Sequence, residues 1–235
     1  MAPRADPADS DTDSDTGSDT MVPAILQRSP EFLAPIAAFY GQRLGLFGAR
    51  PLGVLWRNED GQRLRFEILV RVFDDEGKAG GVTINDLGCG YAAFFDFLKP
   101  LPVMRGGRYF GYDICEDMVD TARRRVDDPR VSLLQSLIAT RGADYSFASG
   151  TYNLRADVDE GEWTEYVKAS LAQLWSRTAK GLAFNMLRPN GGSPDDGLYY
   201  GDPQAFLDFC RETLSPDATL VDDYPLPEWT ILVRR

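Results

Sequence analysis

The sequence predicts an α/β fold in which a mostly parallel sheet is closed by an antiparallel hairpin at the end of the chain. From about residue 82, short apolar segments alternate with segments of helical period, the pattern of parallel strands joined by crossover helices. The last two apolar segments, 217–223 and 228–233, are joined by only Tyr224-Pro225-Leu226-Pro227. A connection this short can only join antiparallel strands. Two further segments of helical period precede the first strand.

The first 78 residues divide into two parts. Residues 1–22 are rich in Asp, Ser and Thr and predict a disordered acidic tail. Residues 23–78 predict helices. Ser29-Pro30-Glu31 is the expected start of the first one, and Asn58-Glu59-Asp60 is the expected cap of the second, which continues to about residue 73. We expect these helices to fold over a binding site as a lid.

Residues 79–235 form the expected main domain. Its seven strands are predicted over 82–87, 107–112, 131–134, 143–149, 181–186, 217–223 and 228–233. The intervening helices are predicted from the glycine turn after residue 88 to before Pro100, and over 116–126, 162–178 and 203–212.

Composition restricts the possible functions. The formal net charge is −11, and an acidic surface repels phosphate backbones, so we expect a small-molecule substrate rather than nucleic acid. No run of eighteen apolar residues is present, and the acidic N-terminus resembles no secretory signal, so we expect no membrane association. Cys89, Cys115 and Cys210 fit no zinc spacing. Their odd number suggests a reducing compartment and therefore a cytoplasmic protein. We expect the protein to be a monomer or a homodimer.

The absence of histidine is equally informative. The chain has none, which removes Ser-His-Asp and Cys-His nucleophiles and most zinc or iron enzymes. We expect no metal, and the sequence identifies no general base.

The strongest motif lies where the first predicted strand of the sheet meets a helix. It reads Asn85-Asp86-Leu87-Gly88-Cys89-Gly90-Tyr91-Ala92. Glycines at such a turn let the backbone approach a ligand, and the helix N-terminus offers free N–H groups. The next strand ends in Gly111-Tyr112-Asp113. A carboxylate there, about twenty residues past the glycines, is placed to bind ribose hydroxyls.

These motifs resemble those of class I S-adenosylmethionine (SAM)-dependent methyltransferases. Asp86-Leu87-Gly88-Cys89-Gly90 and Tyr112-Asp113-Ile114 resemble the first two motifs of that family. Trp56-Arg57-Asn58 and the segment 62–67 resemble its pre-motif helix, and the segment 148–153 stands at its fourth motif. The resemblance covers about residues 54–235 and implies a Rossmann-like fold that binds SAM. The family's third motif glycine is replaced by Ala92.

The resemblance also implies a cofactor site. Asp86 would organise the ammonium group, Asp113 would accept both ribose hydroxyls, and Ile114 with Leu137 would enclose adenine. Arg65 would pair with the SAM carboxylate, and Trp56 would cover the cofactor. The full expected cofactor-binding set is Trp56, Arg65, Asp86, Gly88, Cys89, Gly90, Asp113, Ile114, Ser136, Leu137 and Ser149.

The reacting end is expected beyond the carboxyl ends of the fourth and fifth strands, where ligands of open α/β sheets bind. The candidate catalytic residues there are Tyr152, Asn153 and Asn185. Aromatic faces stabilise sulfonium-type cations, and the candidates for that role are Tyr40, Tyr91, Tyr152 and Tyr200.

Several functions remain open. Gly88-x-Gly90-x-x-Ala93 also fits a nicotinamide-dinucleotide fingerprint, but the Asp86 carboxylate would repel a pyrophosphate. In-line methyl transfer to a small molecule is the favoured reaction. One alternative is cyclisation of the aminobutyrate arm of SAM, which gives a small cyclic amino acid and methylthioadenosine. The other is a non-catalytic SAM-binding protein.

Overall fold

A seven-stranded sheet forms the centre of the protein. The structure, a computed structural model, describes residues 23–189 and 197–235, so the predicted tail 1–22 lies outside the described residues. The strands are β1 (Thr83–Leu87), β2 (Arg108–Asp113), β3 (Val131–Gln135), β4 (Ala143–Ser149), β5 (Thr178–Leu187), β6 (Ala218–Val221) and β7 (Glu228–Arg234).

Their order is β3-β2-β1-β4-β5-β7-β6. The first five pair in parallel, and β7 runs antiparallel to both β5 and β6. The predicted fold class is therefore confirmed, including the hairpin made by the last two strands.

Helices cover both faces of the sheet. They are α1 (Ala24–Phe47), α2 (Glu59–Leu69), α3 (Asp75–Ala79), α4 (Ala93–Leu98), α5 (Glu116–Arg125), α6 (Glu160–Ser176) and α7 (Pro203–Phe209). Side chains of α1, α6 and α7 share one core with Phe184 of β5, whereas those of α2 and α4 share a second core with the adjacent Ala183. Neighbouring residues of one strand thus serve opposite faces. Within the described ranges, no helix is long and apolar enough to cross a membrane.

The start of α1 differs from the prediction. The helix begins at Ala24, and both Pro30 and Pro35 lie inside it. A proline cannot donate to the carbonyl four residues earlier. The Ser29 hydroxyl donates to the carbonyl of Leu26 at 2.9 Å instead, which satisfies the oxygen that Pro30 leaves without its helical donor. Ser29 is therefore a buried helix residue rather than a cap.

The cap of α2 matches the prediction, because the Asn58 side chain accepts a hydrogen bond from the Gly61 N–H at 2.8 Å. The helix itself ends at Leu69 and continues as a short 3₁₀ turn, Val70–Val72. Helix α3 was not predicted. It is capped by Asp74, which accepts from the Gly77 N–H at 2.6 Å.

Candidate functional site

A cavity lies at the carboxyl ends of β1, β2 and β4. It contains about 960 Å³ of space free of protein atoms, including its open mouth. The loop after β1 forms its floor. Leu33, Ile36 and Tyr40 of α1 form one wall, and Trp163 and Tyr166 of α6 form another. Helix α1 packs against both α5 and α6, so it closes one side of the site.

The loop from β1 to α4 has an unusual backbone. Gly88 has φ +77°, Gly90 has φ +52°, and Ala92 has φ +64°, all in the left-handed region that side chains rarely adopt. A Cβ on Gly88 would lie 2.6 Å from Oγ1 of Thr151, whose hydroxyl donates to the carbonyl of Leu87 at 2.7 Å. The turn therefore needs glycine at position 88 for both conformation and space, while Ala92 adopts a left-handed conformation although it carries a side chain.

Asp113 connects this loop to the end of β2. Its Oδ2 accepts from the Gly90 N–H at 2.8 Å, and its Oδ1 accepts from the Cys115 N–H at 2.9 Å. Burial raises the pKa of Asp113, while the backbone hydrogen bonds from Cys115 and Gly90 act in the opposite direction. A carboxylate has about four lone-pair sites, so Asp113 can still accept hydrogen bonds from a ligand in the cavity.

Asp86, at the end of β1, is the second carboxyl group of the cavity. It is 2% exposed, and the Tyr109 hydroxyl donates to its Oδ2. Burial raises the pKa of Asp86 to about 7; the hydrogen bond from Tyr109 opposes that rise, and the charge of Asp113 adds to it. The protonation of Asp86 is thus sensitive to whatever charge a ligand brings.

The charged residues that line the cavity are all acidic. Among the described residues that line it, Asp86 and Asp113 are acidic and none is lysine or arginine. A phosphate would be desolvated there beside two carboxyl groups with no basic partner, which is costly. A cationic ligand without phosphate is complementary to this lining.

The structure gathers most of the predicted cofactor-binding residues in this one cavity. Those that line it are Trp56, Asp86, Gly88, Cys89, Gly90, Asp113, Ile114, Ser136, Leu137 and Ser149.

Arg65 is the exception and requires a correction. Its guanidinium forms a buried ion pair with Glu228 of β7, with Nε 2.7 Å from Oε2, and it stacks on the Trp56 ring at 3.8 Å from the ring centroid. Arg65 does not line the cavity, so it is not placed to pair with a ligand carboxylate. It positions Trp56 instead.

The three candidate catalytic residues also lie outside the cavity lining. Tyr152 is fully buried with its hydroxyl 2.9 Å from Ser170 Oγ. Asn153 accepts from the Leu187 N–H at 3.2 Å. Asn185 accepts from the Gly150 N–H and donates to Glu228 Oε2, both at 2.8 Å. All three hold the segments at the sheet edge in place, and this geometry gives them no contact with a ligand in the cavity.

Sequence reasoning missed the aromatic wall. Trp163 and Tyr166 lie three residues apart on α6, with ring centroids 5.1 Å apart. The only sequence feature that pointed to these two residues was the amphipathic pattern of the helix, and this pattern is equally typical of ordinary core residues. Of the aromatic candidates for a sulfonium contact, Tyr40 and Tyr91 line the cavity, whereas Tyr152 and Tyr200 do not.

Comparisons with known proteins agree with the fold. No protein-family model matches the chain. The chain is 37% identical over 158 residues to the Mycobacterium tuberculosis (strain ATCC 25618 / H37Rv) protein named "Putative methyltransferase Rv1506c", an alignment that spans 65% of this chain and 93% of that relative.

Two solved structures illustrate the similarity of fold. One is magnesium protoporphyrin IX methyltransferase from Synechocystis PCC 6803 with bound SAM, at TM-score 0.55 and 13% identity over 75% of this chain and 80% of that one. The other is human N-acetylserotonin methyltransferase in complex with SAM, at TM-score 0.52 and 15% identity over 89% and 68%.

The strand order and the glycine loop define the fold of class I SAM-dependent methyltransferases. With the Mycobacterium tuberculosis protein as a relative, the chain belongs to the methyltransferase family.

Proposed function

We propose that the protein binds SAM in this cavity and transfers its methyl group to a small-molecule acceptor. The observation that carries the proposal is the charge of the lining, where Asp86 and Asp113 are present and no described lining residue is basic. SAM carries a sulfonium and an ammonium group, one carboxylate and no phosphate, so its net charge is positive and complements this lining. The SAM bound in both structural neighbours named above supports the same assignment.

The residues of the cavity suggest how SAM would lie. Asp113 would accept the ribose hydroxyls, since a carboxylate at the end of the second strand suits that role. Ile114 and Leu137 would contact adenine, and Asp86 would face the ammonium group. The backbone at Gly88 would pass close to the methionine portion, because Gly88 lines the cavity on the loop that follows β1.

Methyl transfer from a sulfonium needs little from the protein. Bound SAM would supply the methyl group: an acceptor lone pair would attack the methyl carbon, the S–CH₃ electron pair would stay on sulfur to give S-adenosylhomocysteine, and the attacking atom would lose its proton to water. Holding the two reacting atoms in line at about 3–3.5 Å can supply roughly 7–11 kcal/mol of the barrier. The enclosing helix α1 would exclude water and help to fix the acceptor. We therefore propose that residues 23–78 act as a cover over the catalytic domain 79–235.

Calorimetry with SAM tests the site. Asp113→Ala should weaken SAM binding at least tenfold, because it removes the acceptor of the ribose hydroxyls and releases the Gly90 N–H. Asp117→Ala is the matched control, since Asp117 lies four residues further on, exposed on α5, and lines no part of the cavity. Equal SAM affinities in the two variants would refute the ribose assignment.

The reaction itself is tested by mass spectrometry of the products. Incubation with SAM and a pool of small-molecule extracts should give S-adenosylhomocysteine together with a product heavier by one methylene. Methylthioadenosine formed from SAM alone would identify cyclisation instead. SAM binding without turnover in either incubation would support a non-catalytic SAM-binding protein.

A further inference from the structure

The outward face of α1 is apolar over most of its length. Beyond Glu31, only Gln42 among the exposed positions of the helix has a polar side chain. These positions are Ala34, Pro35, Ala38, Phe39, Gln42, Gly45, Leu46 and Phe47. A helix that covers a globular domain normally exposes charged and polar side chains on its outer face. The opposite face of α1 is apolar as well, since Leu33 and Ile36 line the cavity, so α1 has two apolar faces.

The large exposed side chains concentrate towards the end of this helix. Five large apolar side chains are exposed among the residues that the structure describes, and four of them lie between positions 39 and 52. These four are Phe39, Leu46, Phe47 and Leu52, and Leu46 is 77% exposed. The fifth, Leu134, lies on β3. Single apolar residues scattered over a surface are normal, whereas a contiguous apolar patch marks an interaction site.

Arg43 joins these side chains into one surface, the α1 patch, which consists of Phe39, Arg43, Leu46, Phe47 and Leu52. The Arg43 guanidinium lies 5.8 Å from the ring centroid of Phe39 and 4.7 Å from that of Phe47, and its Nη2 donates to the Leu52 carbonyl. Residues three and four apart share one face of a helix, which places Leu46 beside the same rings. The α1 patch is therefore an apolar surface that carries a cationic group.

The charge around the α1 patch is opposite in sign to that of the whole chain, whose formal net charge is −11. Residues 32–57 contain no Asp or Glu and three basic residues, Arg43, Arg50 and Arg57. Arg50 is exposed in the loop that follows the helix. The Asp117 carboxylate approaches α1 from α5, 2.8 Å from where a Cβ on Gly41 would lie, and position 41 is on a different face from the patch. The patch thus complements an anionic partner.

A lipid bilayer fits this surface better than a second copy of the chain. A standard protein–protein interface takes about 20–30 residues from each partner, several times the size of the α1 patch. In a symmetric dimer the patch would meet itself, which brings arginines of like charge together. A helix that lies on a membrane needs only apolar side chains that enter the acyl boundary and basic side chains that meet the headgroups. Arg43 suits this role, because arginine can lay its stem along apolar groups while its charged end stays at the polar interface.

We propose that the α1 patch docks on a bilayer surface that carries anionic headgroups. The sequence expectation of no membrane association concerned spanning segments and secretory signals, and a helix that lies on a bilayer needs neither. Tyr40 and Val54 line the cavity and stand one and two residues from members of the patch. Docking would therefore place the cavity about one helix diameter, roughly 10 Å, from the lipid surface.

Sedimentation with vesicles tests the proposal. The full-length protein is incubated, without SAM, with vesicles of phosphatidylcholine alone or of equal parts phosphatidylcholine and phosphatidylglycerol. The anionic vesicles should bind the protein about fivefold or more tightly, because each basic residue near such a surface contributes about this factor, and high salt should weaken the binding. Absence of binding to the anionic vesicles, or equal binding to both compositions, would overturn the proposal.

Leu46→Asp tests whether the α1 patch makes the contact. It places a charge at the most exposed apolar side chain of the patch and should weaken binding to the anionic vesicles at least tenfold. Leu134→Asp is the matched control, since Leu134 is the exposed leucine outside the patch, and it should change binding less than twofold. Circular dichroism checks that both variants are folded. An equal loss in the two variants would contradict docking through α1.

Arg50→Gln tests the contribution of charge. It should weaken binding to the anionic vesicles about fivefold and leave binding to the neutral vesicles unchanged. Arg108→Gln is its control, because Arg108 is exposed at the start of β2, at the end of the sheet away from the cavity. Equal effects of the two substitutions would show that net charge rather than the patch governs binding, against the proposal.

Analytical ultracentrifugation distinguishes the other possible occupant. A wild-type dimer that Leu46→Asp dissociates, together with no binding to vesicles, would assign the α1 patch to a second copy of the chain and overturn the proposal. None of these measurements contains SAM. Failure of the proposed function in calorimetry and failure of docking are therefore separate results.

Discussion

Replacing Asp86 by asparagine should stabilise the ligand-free protein near pH 8 and leave its stability unchanged near pH 4. Asp86 is 2% exposed and accepts a hydrogen bond from Tyr109. Burial raises its pKa from 3.8 to about 7. Asparagine keeps an acceptor for Tyr109 at the same position but never carries the buried negative charge.

The magnitude follows from the pKa shift. A carboxyl group with a raised pKa binds its proton more tightly in the folded state, so its contribution to stability is present below about pH 4 and is lost as the pH rises through 7. The interval between 3.8 and about 7, at about 1.4 kcal/mol per pKa unit, corresponds to a penalty of about 4 kcal/mol at pH 8. The Asp86→Asn variant should escape that penalty.

Urea denaturation of the ligand-free wild type and of Asp86→Asn between pH 4 and pH 8 measures this penalty. The difference in the free energy of unfolding should grow with pH, by up to about 1.4 kcal/mol per pH unit. Asp117→Asn, at an exposed position, should show no such growth. A difference between wild type and Asp86→Asn that stays constant across the whole range would refute the assignment of a buried, neutral carboxyl group.

Three further substitutions test the framework of the site. Glu228→Ala leaves Arg65 buried without its partner and should cost about 3–5 kcal/mol of unfolding free energy in urea; a loss under 1 kcal/mol would contradict the pairing. Gly88→Ala places a Cβ 2.6 Å from Thr151 Oγ1 at φ +77° and should reduce SAM affinity in calorimetry by at least tenfold, so an unchanged affinity would show that the loop is adaptable. Ala92→Gly relieves a left-handed backbone worth about 1–2 kcal/mol but loses a buried methyl of about 0.8 kcal/mol and adds chain entropy of about 0.4–1 kcal/mol. Its thermal unfolding should therefore stay close to that of the wild type, and a strong destabilisation would contradict this balance.

The sequence predicted the sheet well because each strand is an apolar segment bounded by clear turn residues. β4 was predicted over 143–149 and is Ala143–Ser149. The start of α1 was misjudged because Pro30 normally marks the first turn of a helix. Here the Ser29 side chain supplies the missing donor, and pattern reasoning does not anticipate such a local compensation.

In the site, too, some residues could be predicted from the sequence and others could not. Gly88 and Asp113 were predicted from their positions on the backbone. Gly88 directly follows β1, Asp113 ends β2, and both line the cavity. Arg65 was misassigned because its partner, Glu228, is 163 residues away in the sequence. Asn185 lies at the predicted sheet edge, yet its amide bonds to Gly150 and Glu228. Position at the edge follows from the topology, whereas the direction of a side chain depends on partners that only the fold brings together.

The buried ion pair of Arg65 and Glu228 connects the stability of the protein to the shape of the cavity. Glu228 of β7 holds Arg65 of α2, and the Arg65 guanidinium supports the Trp56 ring. Trp56 in turn fits against Gly150, which has φ +66° and no room for a Cβ beside the indole. Gly150 directly follows Ser149, and both residues line the cavity. Loss of the Glu228 carboxylate should therefore disturb ligand binding as well as folding, although Glu228 does not line the cavity, because each neighbour in this series fixes the position of the next.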